Sequence, residues 1–253
     1  MDKVLEYGIK ICFTPILYNP LHVSAFRWAM MPGGSMWSEM FVLFQWKYWR
    51  RLGKGLLASC AGDALQFGVL QGAVRLSSYS VHSSIPPMVS FFGLRMVAYG
   101  LSYPAYTMQV RVCLQADDLP LPYGRAWRAM QQEGNRLRLL YGGFVFYSIS
   151  QWLEFFGFLW TLGFCSSYLS PNGALLAAGI VSKCISHPFW LVSVRARSGK
   201  YESANEVVNG MLRDEPLSSF FHGLFLRCAE VSLYVAIYKW ILPFHHNAII
   251  QPI

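Results

Sequence analysis

Three stretches decide the fold: NPLHVSAFR at residues 19–27, YPAYTMQVR at 103–111 and HPFWLVSVR at 187–195. Each carries a proline followed seven residues later by an arginine. Pro20, Pro104 and Pro188 are separated by 84 residues at both steps, as are Arg27, Arg111 and Arg195, and no insertion is needed to keep the register. A fixed period of this length is the mark of a repeat architecture.

Downstream of each stretch lies a second recurring feature: a basic or amphipathic segment, an aromatic residue, then a glycine opening an apolar run. It reads KYWRRLGKG at 47–55, EGNRLRLLYGG at 133–143 and EPLSSFFHG at 215–223. The unit is therefore helix, surface segment, helix, and the chain divides into pseudo-repeats of about 1–83, 84–167 and 168–253 within a single domain. First helices are expected near 5–31, 87–115 and 172–197, and second helices near 54–75, 140–164 and 219–242. Amphipathic surface helices are expected near 36–48, 123–132 and 202–213.

Composition points to a membrane as the solvent. The 253 residues are 54% hydrophobic, 16% aromatic and 13% charged, with a mean hydropathy of +0.32. Residues 11–26 and the 28 residues from Phe155 to Ser182 contain no Asp, Glu, Lys or Arg, which suits several bilayer crossings. The expected fold class is all-α, with six transmembrane helices. Proline inside a spanning helix removes one backbone hydrogen bond and kinks the axis, so three equivalent prolines would draw one end of a six-helix barrel together. Fourteen of the 21 basic residues fall on the proline–arginine side, among them Lys54, Arg125, Arg138 and Arg213, while the connectors 76–87 and 163–172 carry none.

Other classes find little support. Cys12, Cys60, Cys113, Cys165, Cys184 and Cys228 stand singly among apolar neighbours, so they read as small hydrophobes, with neither disulfide nor metal expected. His245 and His246 read as a solvated pair. No nucleophile–base–orienter set and no phosphate loop is found, so no enzyme and no cofactor is expected. The N-terminal MDKVLEYGIK has neither secretory nor transit-peptide character, which makes internal targeting the expectation. The net charge of +8 and pI near 9.2 suit an anionic lipid surface better than nucleic acid, because the basic residues line one membrane face.

Three proline-bearing repeats, with the second repeat continuing as GRAWRAMQQEGNRLRLLYGGF at 124–144, resemble the mitochondrial carrier family. The likeness covers essentially the whole chain. It implies a six-helix barrel in the mitochondrial inner membrane, with termini toward the intermembrane space, surface helices in the matrix, bound cardiolipin, and metabolite exchange through a central cavity. The family motif also places an acid two residues after each proline and a base five residues after it, and the resulting ion pairs close the matrix end. Here the acid positions hold His22, Tyr106 and Trp190, and the base positions hold Ala25, Gln109 and Ser193. The even helices end in QGAVR, FLWTLGF and YKWILPF, without the acid of the opposite gate.

Transport by alternating access needs two closed states that substrate can interconvert. Loss of both ion-pair networks favours one fixed conformation, with Tyr106 and Trp190 expected to plug the narrow end. The leading expectation is a transport-incompetent accessory subunit of an inner-membrane assembly such as a respiratory complex or the ATP synthase. Helical arithmetic places Arg95 and Lys183 on the inward face, beside Tyr106 and Trp190, where they would hold an anionic metabolite or lipid phosphate or pair with Asp63, Glu154 or Glu230. The alternatives are therefore an active carrier for a small anion, or a degenerate carrier acting in outer-membrane organisation or insertion.

Overall fold

The computed structural model describes residues 19–30, 53–79, 87–114, 122–132 and 136–241. Among these residues the chain is helical, with no strand: α1 (residues 19–29), α2 (Leu56–Tyr79), α3 (Pro87–Leu114), α4 (Pro122–Gln132), α5 (Arg136–Tyr141), α6 (Phe144–Cys165), α7 (Pro171–Arg197), α8 (Ala204–Asp214) and α9 (Leu224–Ile241), with a 3-10 turn at Leu217–Phe221 before α9. The all-α class is as expected, and each expected long helix coincides with a helix or, for the first, with its described part. The expected surface helix at 36–48 and the histidine pair at 245–246 lie outside the described residues.

Local signals set the boundaries. Ser170 caps α7 by accepting from the Gly173 N–H, with Pro171 at the first helical position, where its missing N–H costs nothing. Ser203 caps α8 by accepting from the Glu206 N–H, while the Glu206 carboxylate reaches back to the Glu202 N–H at 2.6 Å, a close relative of the capping box. The helix runs through Pro104 in α3 and through Pro188 in α7. By length and hydropathy α7 is the one described helix apolar enough to cross a membrane. Serine, tyrosine and ionisable residues such as Asp63, Arg95 and Glu154 lower the hydropathy of the others.

The helix pairs are joined in a cyclic order. Gly55, Gly143 and Gly223, one before each even helix, all have positive φ, at 75°, 77° and 88°. Each presses on the odd helix of the following repeat. A Cβ added at Gly55 would lie 3.1 Å from the Gln109 carbonyl oxygen, at Gly143 3.1 Å from that of Ser193, and at Gly223 3.1 Å from that of Ala25. These partners stand at the same repeat position, five residues after each proline. The entry of α2 thus docks on α3, that of α6 on α7, and that of α9 on α1, so the third pair returns to the first and the prolines share one end of the molecule.

The largest apolar cluster fills that end, with Val23, Phe26, Trp190, Leu191 and Leu226 joined by Val207 and Met211 from the buried face of α8. A second cluster is aromatic, built from Tyr99, Tyr103 and Tyr147 with Tyr106 and Phe144 packed on it.

Gly143→Ala tests the docking geometry, because it meets both a left-handed backbone and the Ala196 Cβ at 2.9 Å. A loss of about 2 kcal/mol, equivalent to a fall of about 4–8 °C in Tm, is expected. Gly68→Ala, where nothing lies within 4 Å, should raise Tm slightly instead.

Candidate functional site

The residue before each proline holds the turn that opens the even helix of its own repeat. Asn19 Nδ2 donates to the Lys54 carbonyl at 3.3 Å, Tyr103 OH to the Gly142 carbonyl at 2.6 Å, and His187 Nε2 lies 2.9 Å from the His222 carbonyl. The three carbonyls immediately precede Gly55, Gly143 and Gly223. A carbonyl oxygen only accepts, so His187 carries its proton on Nε2. Three different side chains therefore do one job, and each even-helix entry is tied to its own odd helix by a hydrogen bond and wedged by glycine against the next.

The arginines seven residues after the prolines extend the ring. Arg111 Nε donates to the Arg197 carbonyl at 3.2 Å, and Arg195 Nε donates to the Ala29 carbonyl at 3.0 Å. Arg197 and Ala29 both stand nine residues after their proline, at the carboxyl ends of α7 and α1. Arg27 lies near enough to Cys113, the equivalent position on α3, for its charge to act there. A guanidinium at a helix C-terminus satisfies an orphan carbonyl and complements the negative end of the macrodipole. Gly199, at φ 82°, leaves room for the Arg111 guanidinium, which an added Cβ would meet at 2.9 Å.

The seams between repeats each contain an acid on the even helix. On the α2–α3 seam Tyr106 OH donates to Asp63 Oδ1 at 2.5 Å and lies 3.2 Å from Gln66 Oε1. On the α6–α7 seam Lys183 Nζ is 2.6 Å from Glu154 Oε1. On the α9–α1 seam His22 Nδ1 is 3.2 Å from Glu230 Oε2. Arg227 of α9 reaches the second oxygen of Glu154 at 3.2 Å and lies 4.4 Å above the Trp190 ring, so α6, α7 and α9 share one partly buried charge cluster.

Of the residues singled out from sequence, Lys183 takes the ion-pair role with Glu154. Arg95 donates to Tyr99 OH and its guanidinium lies 4.3 Å from the Phe155 ring centroid, beside Glu154 in sequence. The charges of Lys183 and Arg227 act on both Glu154 and Glu230, so cation and anion are matched there. The aromatic replacements occupy separate clusters. Trp190, 3% exposed, stacks on Phe26 at 5.6 Å with His22 at its edge, while Tyr106 packs with Tyr147 and the second cluster. Sequence reading passed over Asn19, Tyr103 and His187, although each recurs at the repeat period with a polar side chain.

Arg195 has a further partner in Glu215, at 2.6 Å, in the connector after α8. Burial pushes the Glu215 carboxyl up, but hydrogen bonding and the positive charge around it, Arg195 foremost, outweigh burial and hold it below its ordinary 4.5.

Fold and site together define a class of protein, helical among the described residues, whose helix pairs are closed into a ring by equivalent glycine contacts, with acids pinning the seams. No family profile matches the chain, and no curated protein matches it.

Two measurements address the site. Glu154→Leu takes the facing acid from the buried Arg227 and the half-buried Lys183 and is expected to cost about 3–5 kcal/mol, whereas the Glu154→Leu/Lys183→Met double variant should cost less than the sum of the singles in a denaturation cycle. Glu215 binds fewer protons folded than unfolded, so its contribution is complete above pH 4.5 and is lost as pH falls below it. Glu215→Gln should therefore lower Tm near neutrality and flatten its decline in acid.

Proposed function

We propose that this chain is a carrier-fold membrane protein that does not transport, and that it serves as a structural accessory subunit of a mitochondrial inner-membrane assembly. The observation that carries this reading is the state of the three seams. Moving the repeats against one another must shear α2 against α3, α6 against α7 and α9 against α1, and each of these pairs is pinned by a partly buried acid and its partner. Separating such partners inside an apolar environment leaves uncompensated polar groups and costs several kcal/mol per seam. The positions that form a reversible gate in the carrier family are committed here to static contacts. His22 binds Glu230, Tyr106 binds Asp63, and Ala25, Gln109 and Ser193 lie under glycines.

A six-span membrane arrangement is supported by the outer surface of α6, where Val145, Ile149, Phe156, Trp160 and Phe164 are exposed along one face at helical spacing. At the proline–arginine end, α4 exposes Arg125, Trp127 and Arg128 while burying Ala126 and Met130, an arrangement suited to an anionic headgroup layer and to cardiolipin. The matched charges around Glu154 and Glu230 weigh against an anionic substrate at Lys183.

The full chain in liposomes, assayed with a panel of labelled carboxylates, phosphates and nucleotides, is expected to show no saturable counter-exchange. Mild-detergent extracts are expected to carry it in a particle well above 28.8 kDa. Saturable exchange that Arg95→Ala abolishes would overturn the proposal, as would a lone subunit in native extracts.

A further inference from the structure

The crossing of α7 with α9 buries polar side chains whose hydrogen-bonding capacity is only partly used. Arg227 of α9 is 2% exposed; its Nη2 reaches Glu154, while Nε and Nη1, both buried, have no partner among the described residues. His187 of α7 is fully buried, with Nε2 on the His222 carbonyl and Nδ1 unpartnered among the same residues. At the proline–arginine end, Arg195 uses Nε on the Ala29 carbonyl and Nη1 on Glu215. Its Nη2 is left over, and so is His222 Nδ1.

These atoms belong to one strip. The Arg227 guanidinium lies 4.4 Å from the Trp190 ring centroid, and the His187 ring centroid is 5.2 Å from that of Trp190. His187 is bonded in turn to the backbone of His222, which closes the connector that begins with Glu215, the partner of Arg195. Five buried atoms with spare capacity thus follow the α7–α9 interface from the Glu215 end toward Glu154.

A buried N–H or ring nitrogen gives up its solvent partner on folding, and that loss is recovered only when another partner takes the place. The charges along the strip decide what this partner is. Arg195 is matched by Glu215, while Lys183 and Arg227 face Glu154 and their charges also act on Glu230. A further anion or cation would enter unpaired, so the partner is neutral. It has to accept from the arginines and donate to His187, whose Nδ1 is an acceptor because Nε2 carries the proton. Water does both through one oxygen.

We propose that ordered internal water occupies the α7–α9 interface, accepting from Arg227 Nε and Nη1 and from Arg195 Nη2, and donating to His187 Nδ1, with His222 Nδ1 beside its outer end. A buried water makes about three hydrogen bonds, so a few molecules serve all five atoms. The adjoining apolar cluster, which holds Met211 and Leu226, gives water no comparable anchor and stays dry.

The test is radiolytic footprinting of the purified full-length chain in lipid nanodiscs. A short X-ray pulse makes hydroxyl radicals from bound as well as bulk water, and mass spectrometry reads oxidation residue by residue. His187, fully buried, should be oxidised, whereas Met211, just as tightly buried and intrinsically the more reactive side chain, should not. Rapid mixing into heavy-oxygen water before the pulse should carry the isotope into exposed Trp127 immediately and into His187 only after a delay, as bound water exchanges. Arg227→Met removes two of the anchoring N–H groups and should reduce oxidation at His187; the unsubstituted chain decides the matter if this variant folds poorly. Protection of His187 equal to that of Met211 would overturn the proposal. So would immediate isotope uptake at His187, which marks a path open to bulk solvent, or unchanged oxidation there in a folded Arg227→Met chain.

Discussion

Three carbonyl groups carry the architecture. Those of Lys54, Gly142 and His222 open the even helices; each is held by the side chain before a proline, and each is followed by a glycine pressed on the next odd helix. A helix N-terminus that enters at a left-handed glycine approaches a neighbouring backbone as close as a side-chain-free residue allows. That approach puts the entry within reach of two odd helices at once. Remove the bridge and nothing in the local sequence dictates that the third pair should return to the first.

The polar seams follow from this spacing. Once α2 is held on α3, α6 on α7 and α9 on α1, an acid on the even helix meets whatever the facing odd helix presents: a phenol from Tyr106, an ammonium from Lys183, an imidazole from His22. The positions two residues after the odd-helix prolines hold His22, Tyr106 and Trp190, none of them an acid. The even helices supply acids of their own. Such pairs favour specificity of packing more than net stability, since burying charge costs nearly as much as pairing returns. The arginines seven residues after the prolines contribute at the same end, where they close orphan carbonyls of neighbouring helices.

Much of the local fold was legible in the chain. The prolines and arginines at equal intervals marked the odd helices, and glycine after an aromatic or basic run marked the even-helix entries. The amphipathic stretches at 123–132 and 202–213 became α4 and α8 within a residue or two. The candidate site was legible only in part. Lys183 faces the acid offered as one of its partners, whereas Trp190 packs in the largest apolar cluster, stacked on Phe26, and Tyr106 beside the tyrosine cluster, with Asp63 accepting from its phenol. Asn, Tyr and His at equivalent positions share no residue type, so their common role as donors to a carbonyl stays hidden until the acceptor is in place.

What the sequence determined by itself is periodic and local: helical segments, their caps, their breaks, and a threefold recurrence of proline, arginine and glycine. Those signals act within a few residues along the chain and need no partner to be read. Tertiary structure alone decided which acid faces which base and which glycine lies under which carbonyl. Such pairings depend on helix rotation and on close approach between segments, which a one-dimensional period constrains in phase but does not fix in space.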